Sequence, residues 1–89
     1  MNILVVGLRN KDISRLKKLK SLRITHVTSD NISNRSLKHF KDYDVVINVC
    51  KFSAHLVEYL CNSHKNFIRL RPTQGVSSLN TLLKDFAHE

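Results

Sequence analysis

The sequence has few of the residues on which common nucleotide-binding and disulfide-bonded folds depend. Its 89 residues include no Trp, one Pro, two Gly and two Cys. Only Gly7 follows the first apolar run, so the chain lacks the closely spaced glycines of a dinucleotide-binding turn, and it has no P-loop. We therefore do not expect NAD or ATP to bind in the usual way. Two cysteines without a Cys-x-x-Cys spacing exclude a disulfide framework.

Acidic residues are also scarce, and this leaves a strong positive charge. Fifteen Lys and Arg against seven Asp and Glu give a net charge of +8. Such an excess favours polyanionic partners, which are nucleic acid, an anionic membrane surface or an acidic protein. A basic protein that is merely soluble is the alternative, because net charge concerns association and not fold.

Long apolar runs are absent as well. No stretch approaches the length that crosses a bilayer, and residues 1–7 lack the basic start and the apolar length of a signal peptide. Cys50 and Cys61 lie in apolar stretches, which suits the reduced core thiols of cytosolic proteins. We therefore expect a cytoplasmic protein without membrane association.

Four apolar runs, each followed by a helical pattern, predict an open α/β sheet. The predicted strands cover residues 3–6, 23–27, 43–49 and 67–70. Strict alternation of strands and helices predicts right-handed crossovers and a parallel sheet. We therefore expect one domain over residues 1–89, a three-layer α/β/α Rossmann-like (flavodoxin-like) fold with four strands in the order 2-1-3-4.

The helical patterns predict four helices that cover this sheet. Asp12 is expected to cap a first helix whose apolar spacing continues to Leu22, and a short helix is expected over residues 34–41. A third helix is expected from Ser53 to about residue 63, and a last one follows residue 75. The side chains expected to face inward are Ile13, Leu16, Leu19, Leu22, Leu37, Phe40, Leu56, Val57, Leu60, Val76, Leu79, Leu82, Leu83 and Phe86.

Ligands of open parallel sheets bind beyond the carboxyl ends of the strands, and three of the four loops expected there carry a cation. Two predicted helices also begin at this edge, and their backbone amides favour an anion. The alternative is that the cations are solvated and that the serines are ordinary caps. The predicted anion- or phosphate-binding residues are Arg9, Lys51, Ser53, His55, Arg71, Ser77 and Ser78.

A second basic surface is predicted on the outer side of the first helix, opposite its apolar residues. Its members, predicted to contact nucleic acid, are Arg15, Lys17, Lys18 and Lys20. Of the six Phe and Tyr residues, only Phe52 is expected near the carboxyl edge, so base stacking would be limited and phosphate contacts would dominate.

Catalytic and metal-binding patterns find little support. Cys50, His55, Cys61 and His64 invite a zinc site, but His55 is six residues from Cys61 on one helix and points elsewhere. No Gly-x-Ser-x-Gly segment exists. Asp42 and Asp44 are expected at the opposite edge of the sheet. We therefore expect no catalytic residue, no metal site and no cofactor.

Three blocks of the sequence resemble a known family over nearly the whole chain. The pattern is similar to that of the small bacterial Rossmann-like domain-of-unknown-function family numbered 2325. It departs from that family at Leu8, where a second glycine is expected. The resemblance implies the fold and draws attention to His55 and to Ser77 and Ser78, but it implies no activity. The blocks are Val5-Val6-Gly7, then Asp44-Val-Val-Ile47 with Ser53-Ala-His55, then Arg69-Leu-Arg71 leading to Gly75-Val-Ser-Ser-Leu79.

Together these features predict a non-enzymatic, basic accessory domain that binds nucleic acid, above all single-stranded DNA, or a larger replication or recombination enzyme. Two alternatives stay open. One is a protein-interaction subunit without direct nucleic-acid contact, whose basic face meets an acidic protein. The other is a small sensor that binds a phosphate or nucleotide ligand at the carboxyl edge of the sheet. A monomer or weak dimer is expected.

Overall fold

Four strands form the sheet at the centre of the structure, a computed structural model that describes residues 1–16, 19–49, 54–70 and 76–87. All neighbouring strands pair in parallel, and their order is β2-β1-β3-β4. This confirms the predicted sheet and its order, with β2 and β4 at the edges. The strands are β1 (Asn2–Val6), β2 (Arg23–Val27), β3 (Val45–Asn48) and β4 (Phe67–Arg69).

Helices cover both faces of this sheet, as the three-layer fold requires. The helices of the described residues are α1 (Asn10–Ile13), α2 (Ala54–Cys61) and α3 (Val76–Ala87), with short 3-10 turns at Ser29–Asn31 and Phe40–Asp42. Helix α3 lies close to its predicted position, and α2 ends two residues early. No helix in these described stretches is long and apolar enough to cross a membrane.

Two cores form because successive side chains of a strand point to opposite faces. On one face, Ile3 and Val5 pack with Leu79 and Leu83 of α3. On the other face, Leu4 and Val6 pack with Val57 and Cys61 of α2 and with Leu37. The side chains of β4 and the residue after it divide in the same way, since Phe67 packs against the α2 core and Ile68 and Leu70 against the α3 core.

The prediction that the first helix is capped by Asp12 and continues to Leu22 is wrong. Helix α1 ends at Ile13, Arg9 occupies its N-cap position, and Asp12 lies buried inside it. The apolar residues recur every three positions, a spacing that matches i to i+3 turns better than the 3.6-residue period of an α-helix. The backbone follows that spacing, since the Leu16 N–H donates to the Ile13 carbonyl and the Leu22 N–H to the Leu19 carbonyl, each at 3.1 Å.

The segment predicted as a second helix, residues 34–41, forms turns that end in the 3-10 turn at Phe40–Asp42. The hydroxyls of Ser33 and Ser36 bond to each other and to the local backbone, which competes with helical hydrogen bonds. The inward prediction for Leu37 is nevertheless confirmed, because its side chain is buried. The prediction for Leu56 is wrong, since Val57 and Cys61 form the buried face of α2 and Leu56 is exposed.

A turn at Gly7 ends β1 and starts the carboxyl edge of the sheet. Gly7 has φ 105°, a conformation that a residue with a Cβ adopts only at a cost. Its N–H donates to the Val27 carbonyl at 2.8 Å and so ties the ends of β1 and β2 together. The chain leaves this turn directly into the segment that carries most of the positive charge.

Candidate nucleic-acid interface

The predicted anion-binding residues that the structure describes belong to three elements that begin at the carboxyl edge. Arg9 precedes α1, His55 is the second residue of α2, and Ser77 and Ser78 lie in the first turn of α3. Arg9, His55 and Ser77 are exposed, and Ser78 is half-buried. The predictions for Lys51, Ser53 and Arg71 lie outside the described residues.

Arg9 and Arg15, which the sequence assigned to two different sites, meet at one carboxylate. Asp12 Oδ2 lies 3.2 Å from Arg9 Nε, and Asp12 Oδ1 lies 3.7 Å from Arg15 Nη1. The Asp12 side chain is only 13% exposed, whereas those of Arg9 and Arg15 are 64% and 70% exposed. The carboxylate therefore holds the two side chains together, and most of each guanidinium stays open to a second anion.

These residues belong to a strongly basic stretch, residues 9–23, that we call the basic segment. It contains seven Lys and Arg and one acidic residue, Asp12, so it carries +6 of the chain's net +8. The segment leaves the carboxyl end of β1 and returns to the amino end of β2. Its two ends therefore lie at opposite edges of the sheet, separated along the strand direction by the length of β2, about 13 Å for five residues.

Three further cations of the basic segment are exposed, namely Lys11, Lys20 and Arg23. None of them forms an ion pair with a residue that the structure describes. The predictions for Lys17 and Lys18 lie outside the described residues. Of the sequence-predicted nucleic-acid contacts, Arg15 and Lys20 are thus found on one segment together with Lys11 and Arg23, which the sequence reasoning omitted.

Residues of the same segment and of β2 line a concave, mostly apolar surface of about 430 Å³, which we call the aliphatic groove. His26 of β2 is among the lining residues, and its Nδ1 is buried and has no hydrogen-bond partner among the described residues. Burial lowers the pKa of His26, so the neutral ring is favoured. The groove is lined by Ile13, Ser14, Leu16, Leu19, Leu22, Ile24 and His26.

A larger concavity, about 1040 Å³, lies at the amino edge of the sheet, opposite the predicted site. Cations and carboxylates are mixed there, since Lys41 and Lys65 lie beside Asp42 and Asp44. Asp44 Oδ2 already accepts the Asn2 amide proton at 2.7 Å. This surface includes the Asp44 contact at the start of β1, and its two Lys are offset by two Asp.

Two of the residues considered for a zinc site, His64 and Cys61, lie in the described structure in surroundings that do not suit a metal ligand. His64 uses both ring nitrogens, since Nε2 lies 2.7 Å from the Tyr43 carbonyl oxygen and Nδ1 accepts the Asn66 amide proton at 3.0 Å. Cys61 is buried, and burial raises its pKa to about 11, which opposes the thiolate that a metal requires. No group of three or more His, Cys, Asp or Glu in the described stretches is arranged to hold a metal ion. Cys50 lies outside them.

No model of a protein family, no curated protein and no solved structure matched the chain when it was compared with them. The resemblance to the Rossmann-like family numbered 2325 therefore stays a prediction. The four-stranded parallel sheet nevertheless defines the chain as an α/β protein of Rossmann-like topology.

Proposed function

We propose that this chain is a non-enzymatic accessory domain that binds single-stranded nucleic acid through the basic segment. The observation that carries the proposal is the concentration of charge, +6 of the net +8 within fifteen residues, with the one acidic side chain already neutralised by two arginines. Phosphate backbones recognise such a surface, because each Lys or Arg that contacts a phosphate releases a condensed counterion.

The placement of the cations supports a linear polyanion over a compact ligand. The described cations lie on a segment that leads from Arg9, after the carboxyl end of β1, to Arg23 at the start of β2. A single phosphate would contact only one part of this segment. A nucleic-acid strand carries a charge at every nucleotide, which in a double helix means about every 3.4 Å along each strand. The carboxyl-edge residues His55, Ser77 and Ser78 would then extend the same surface.

Three of the described acidic and imidazole side chains already take part in structural contacts, which supports a binding role for the chain. Asp12 bridges two arginines, Asp44 caps a backbone amide, and His64 holds two backbone groups. Each of these side chains therefore has a structural task. At this size the chain buries little surface by itself, and we propose that it acts beside a larger enzyme of replication or recombination.

A matched pair of charge-reversal variants tests the proposal. One variant changes Lys11, Lys20 and Arg23 to Glu, and the control changes Lys38, Lys65 and Arg35 to Glu. Both sets contain two Lys and one Arg, all exposed and without an ion pair to a described residue, so the net charge falls equally.

Binding of a fluorescent single-stranded oligonucleotide is then followed by anisotropy at low salt. We expect the first variant to bind at least tenfold more weakly than the control, because three phosphate contacts are lost. If both variants lose the same affinity for the oligonucleotide, binding depends on net charge and not on the basic segment, which would contradict the proposal. If the wild-type protein binds no oligonucleotide but captures an acidic protein through the same residues, the chain is a protein-interaction subunit and the nucleic-acid proposal is wrong.

A further inference from the structure

Three residues of the basic segment, Arg9, Asp12 and Arg15, form one site in which the backbone is fixed as well as the side chains. The Asp12 N–H donates to the Arg9 carbonyl at 2.9 Å, and the Arg15 N–H donates to the Asp12 carbonyl at 3.1 Å. The Arg15 carbonyl accepts a side-chain N–H of Asn80 in α3 at 3.4 Å. Both arginines are therefore anchored around one buried carboxylate, and their guanidiniums extend to the surface. We call these three residues the paired-arginine site.

The paired-arginine site keeps most of its hydrogen-bond donors for a ligand. The bond from Arg9 to Asp12 uses Nε, which leaves the two terminal amino groups of Arg9. Arg15 Nη1 lies 3.7 Å from Asp12, a distance too long for a hydrogen bond, so Asp12 takes none of its donors. Because both guanidiniums contact the same carboxylate, they lie no further apart than these two contacts and the width of one carboxylate allow.

The charge of the site and its number of donors favour one kind of phosphate group. A phosphodiester inside a strand carries one negative charge and two non-bridging oxygens, which a single Arg in bidentate contact already takes. A terminal phosphomonoester carries a charge of about −1.5 to −2 at pH 7 and three acceptor oxygens. We propose that the paired-arginine site binds the terminal phosphate of the single strand. This inference rests on the proposed function and assigns the end of the strand to one place on the basic segment.

The position of the site also suits the end of a strand. Arg9 follows the carboxyl end of β1, where the Leu8 carbonyl accepts the Ser29 N–H at 3.1 Å, whereas Arg23 begins β2 at the other edge of the sheet. The paired-arginine site therefore lies at one end of the basic segment. A strand held there by its terminal phosphate leaves its internal phosphates for the other cations of the segment.

Asp12 is a positioning residue in this proposal, and its effect differs from that of charge alone. Its carboxylate holds both guanidiniums but subtracts one positive charge from the basic segment. If net charge governed binding, changing Asp12 to Asn would strengthen binding to every oligonucleotide. If the carboxylate positions the arginines, the same change removes the selective binding of a terminal phosphate, although the net charge rises by one.

Three single strands of one sequence provide the test, with a 5′-phosphate, a 3′-phosphate or hydroxyls at both ends. We expect the wild-type protein to bind one of the phosphorylated strands about tenfold more tightly than the hydroxyl strand, which is the contribution of one charge-assisted hydrogen bond. Changing Arg9 and Arg15 to Lys keeps their charge but removes the planar forks, and should reduce this preference below about twofold. Changing Asp12 to Asn should do the same. Binding of the hydroxyl strand, which the Lys variant should retain, shows that the variant is folded.

A matched control changes Arg23 and Arg35 to Lys, since both are exposed arginines outside the paired-arginine site, and it should keep the preference. Thymidine 5′-monophosphate distinguishes the two sources of such a phosphate. It should compete much more weakly than the phosphorylated strand, because it lacks the internal phosphates that the other cations contact. Competition as tight as that of the strand would indicate a site for a small phosphate ligand and would overturn the assignment to a strand end.

Two further outcomes separate this inference from the proposed function. Equal wild-type affinities for the three strands, or a preference that survives both the Lys and the Asn variants, would overturn the inference and leave the proposed function in place. Failure of all three strands to bind would instead overturn the proposed function.

Discussion

Nε2 of His64 lies 2.7 Å from the carbonyl oxygen of Tyr43, and this contact joins the loop after α2 to the residues before β3. The other ring nitrogen, Nδ1, accepts the Asn66 amide proton, so the neutral ring carries its own proton on Nε2 and donates it to Tyr43. Asn66 in turn donates its side-chain N–H to the Asp44 carbonyl at 3.0 Å. One buried histidine thus satisfies two backbone groups that begin neighbouring strands.

Changing His64 to Phe is expected to destabilise the fold by about 1–3 kcal/mol, because the Tyr43 carbonyl and the Asn66 amide lose their partner. The free energy of unfolding in urea measures this. His55 is exposed, and changing it to Phe is the matched control, with an expected effect within about 0.5 kcal/mol. Equal stability of the two variants would show that the His64 contacts contribute nothing.

Acid should destabilise the protein through His26. Burial lowers its pKa in the folded state below the ordinary 6.5, so the unfolded chain binds a proton at a pH where the folded chain does not. The stabilisation is therefore fully present above about pH 6.5 and is lost as the pH falls below it. Urea titrations from pH 8 down to pH 5 should show a smaller loss for the His26→Phe variant than for wild type, and parallel curves would contradict the assignment.

Alkali should act through Cys61. Burial raises the pKa of this thiol from 9.0 to about 11, so the unfolded chain loses its proton first as the pH rises. The stabilisation is present below about pH 9 and declines towards pH 11, by about 3 kcal/mol in all. Changing Cys61 to Val keeps an apolar side chain in the core and should flatten the curve of unfolding free energy over this interval. If the variant loses unfolding free energy with pH as steeply as wild type, the alkaline destabilisation comes from another group.

Reversal of the charges of Lys17 and Lys18 distinguishes an extended surface from a discrete pocket. If the basic segment follows a nucleic-acid backbone, changing both lysines to Glu should weaken oligonucleotide binding more than changing Lys51 and Arg71 to Ala. A sensor that binds a small phosphate ligand at the carboxyl edge predicts the reverse order. Anisotropy titrations of the two double variants at one salt concentration measure the ranking.

The sequence was sufficient for the sheet because the signal there is strong and local. Continuous apolar runs such as residues 3–6 are typical of strands covered on both faces, and they recur in alternation with helical patterns. The helix prediction for residues 13–22 was wrong because their strict three-residue apolar spacing fits both an amphipathic helix and a series of i to i+3 turns. Only the tertiary structure decides between them.

The sequence also allowed part of the basic segment to be predicted, because charged residues can be read directly from it. Positive charge is visible in the sequence, so Arg9, Arg15 and Lys20 could be named as cations, and a count over residues 9–23 would also have found Lys11 and Arg23. The pairing of Arg9 and Arg15 on Asp12 could not be predicted, because it depends on a helix that ends after four residues. His26 could have been noticed, since strand alternation places it on the same face as Ile24.

The salt dependence of oligonucleotide binding tests the central claim most directly. With about five phosphate contacts, the logarithm of the affinity for a single strand should fall linearly with the logarithm of salt concentration, with a slope of about −3 to −4. Changing Lys11, Lys20 and Arg23 to Glu should reduce the magnitude of that slope by about 2, and changing Lys38, Lys65 and Arg35 to Glu should leave it unchanged. Absence of binding at low salt, or tight binding that does not respond to salt, would contradict a phosphate-driven interface on the basic segment.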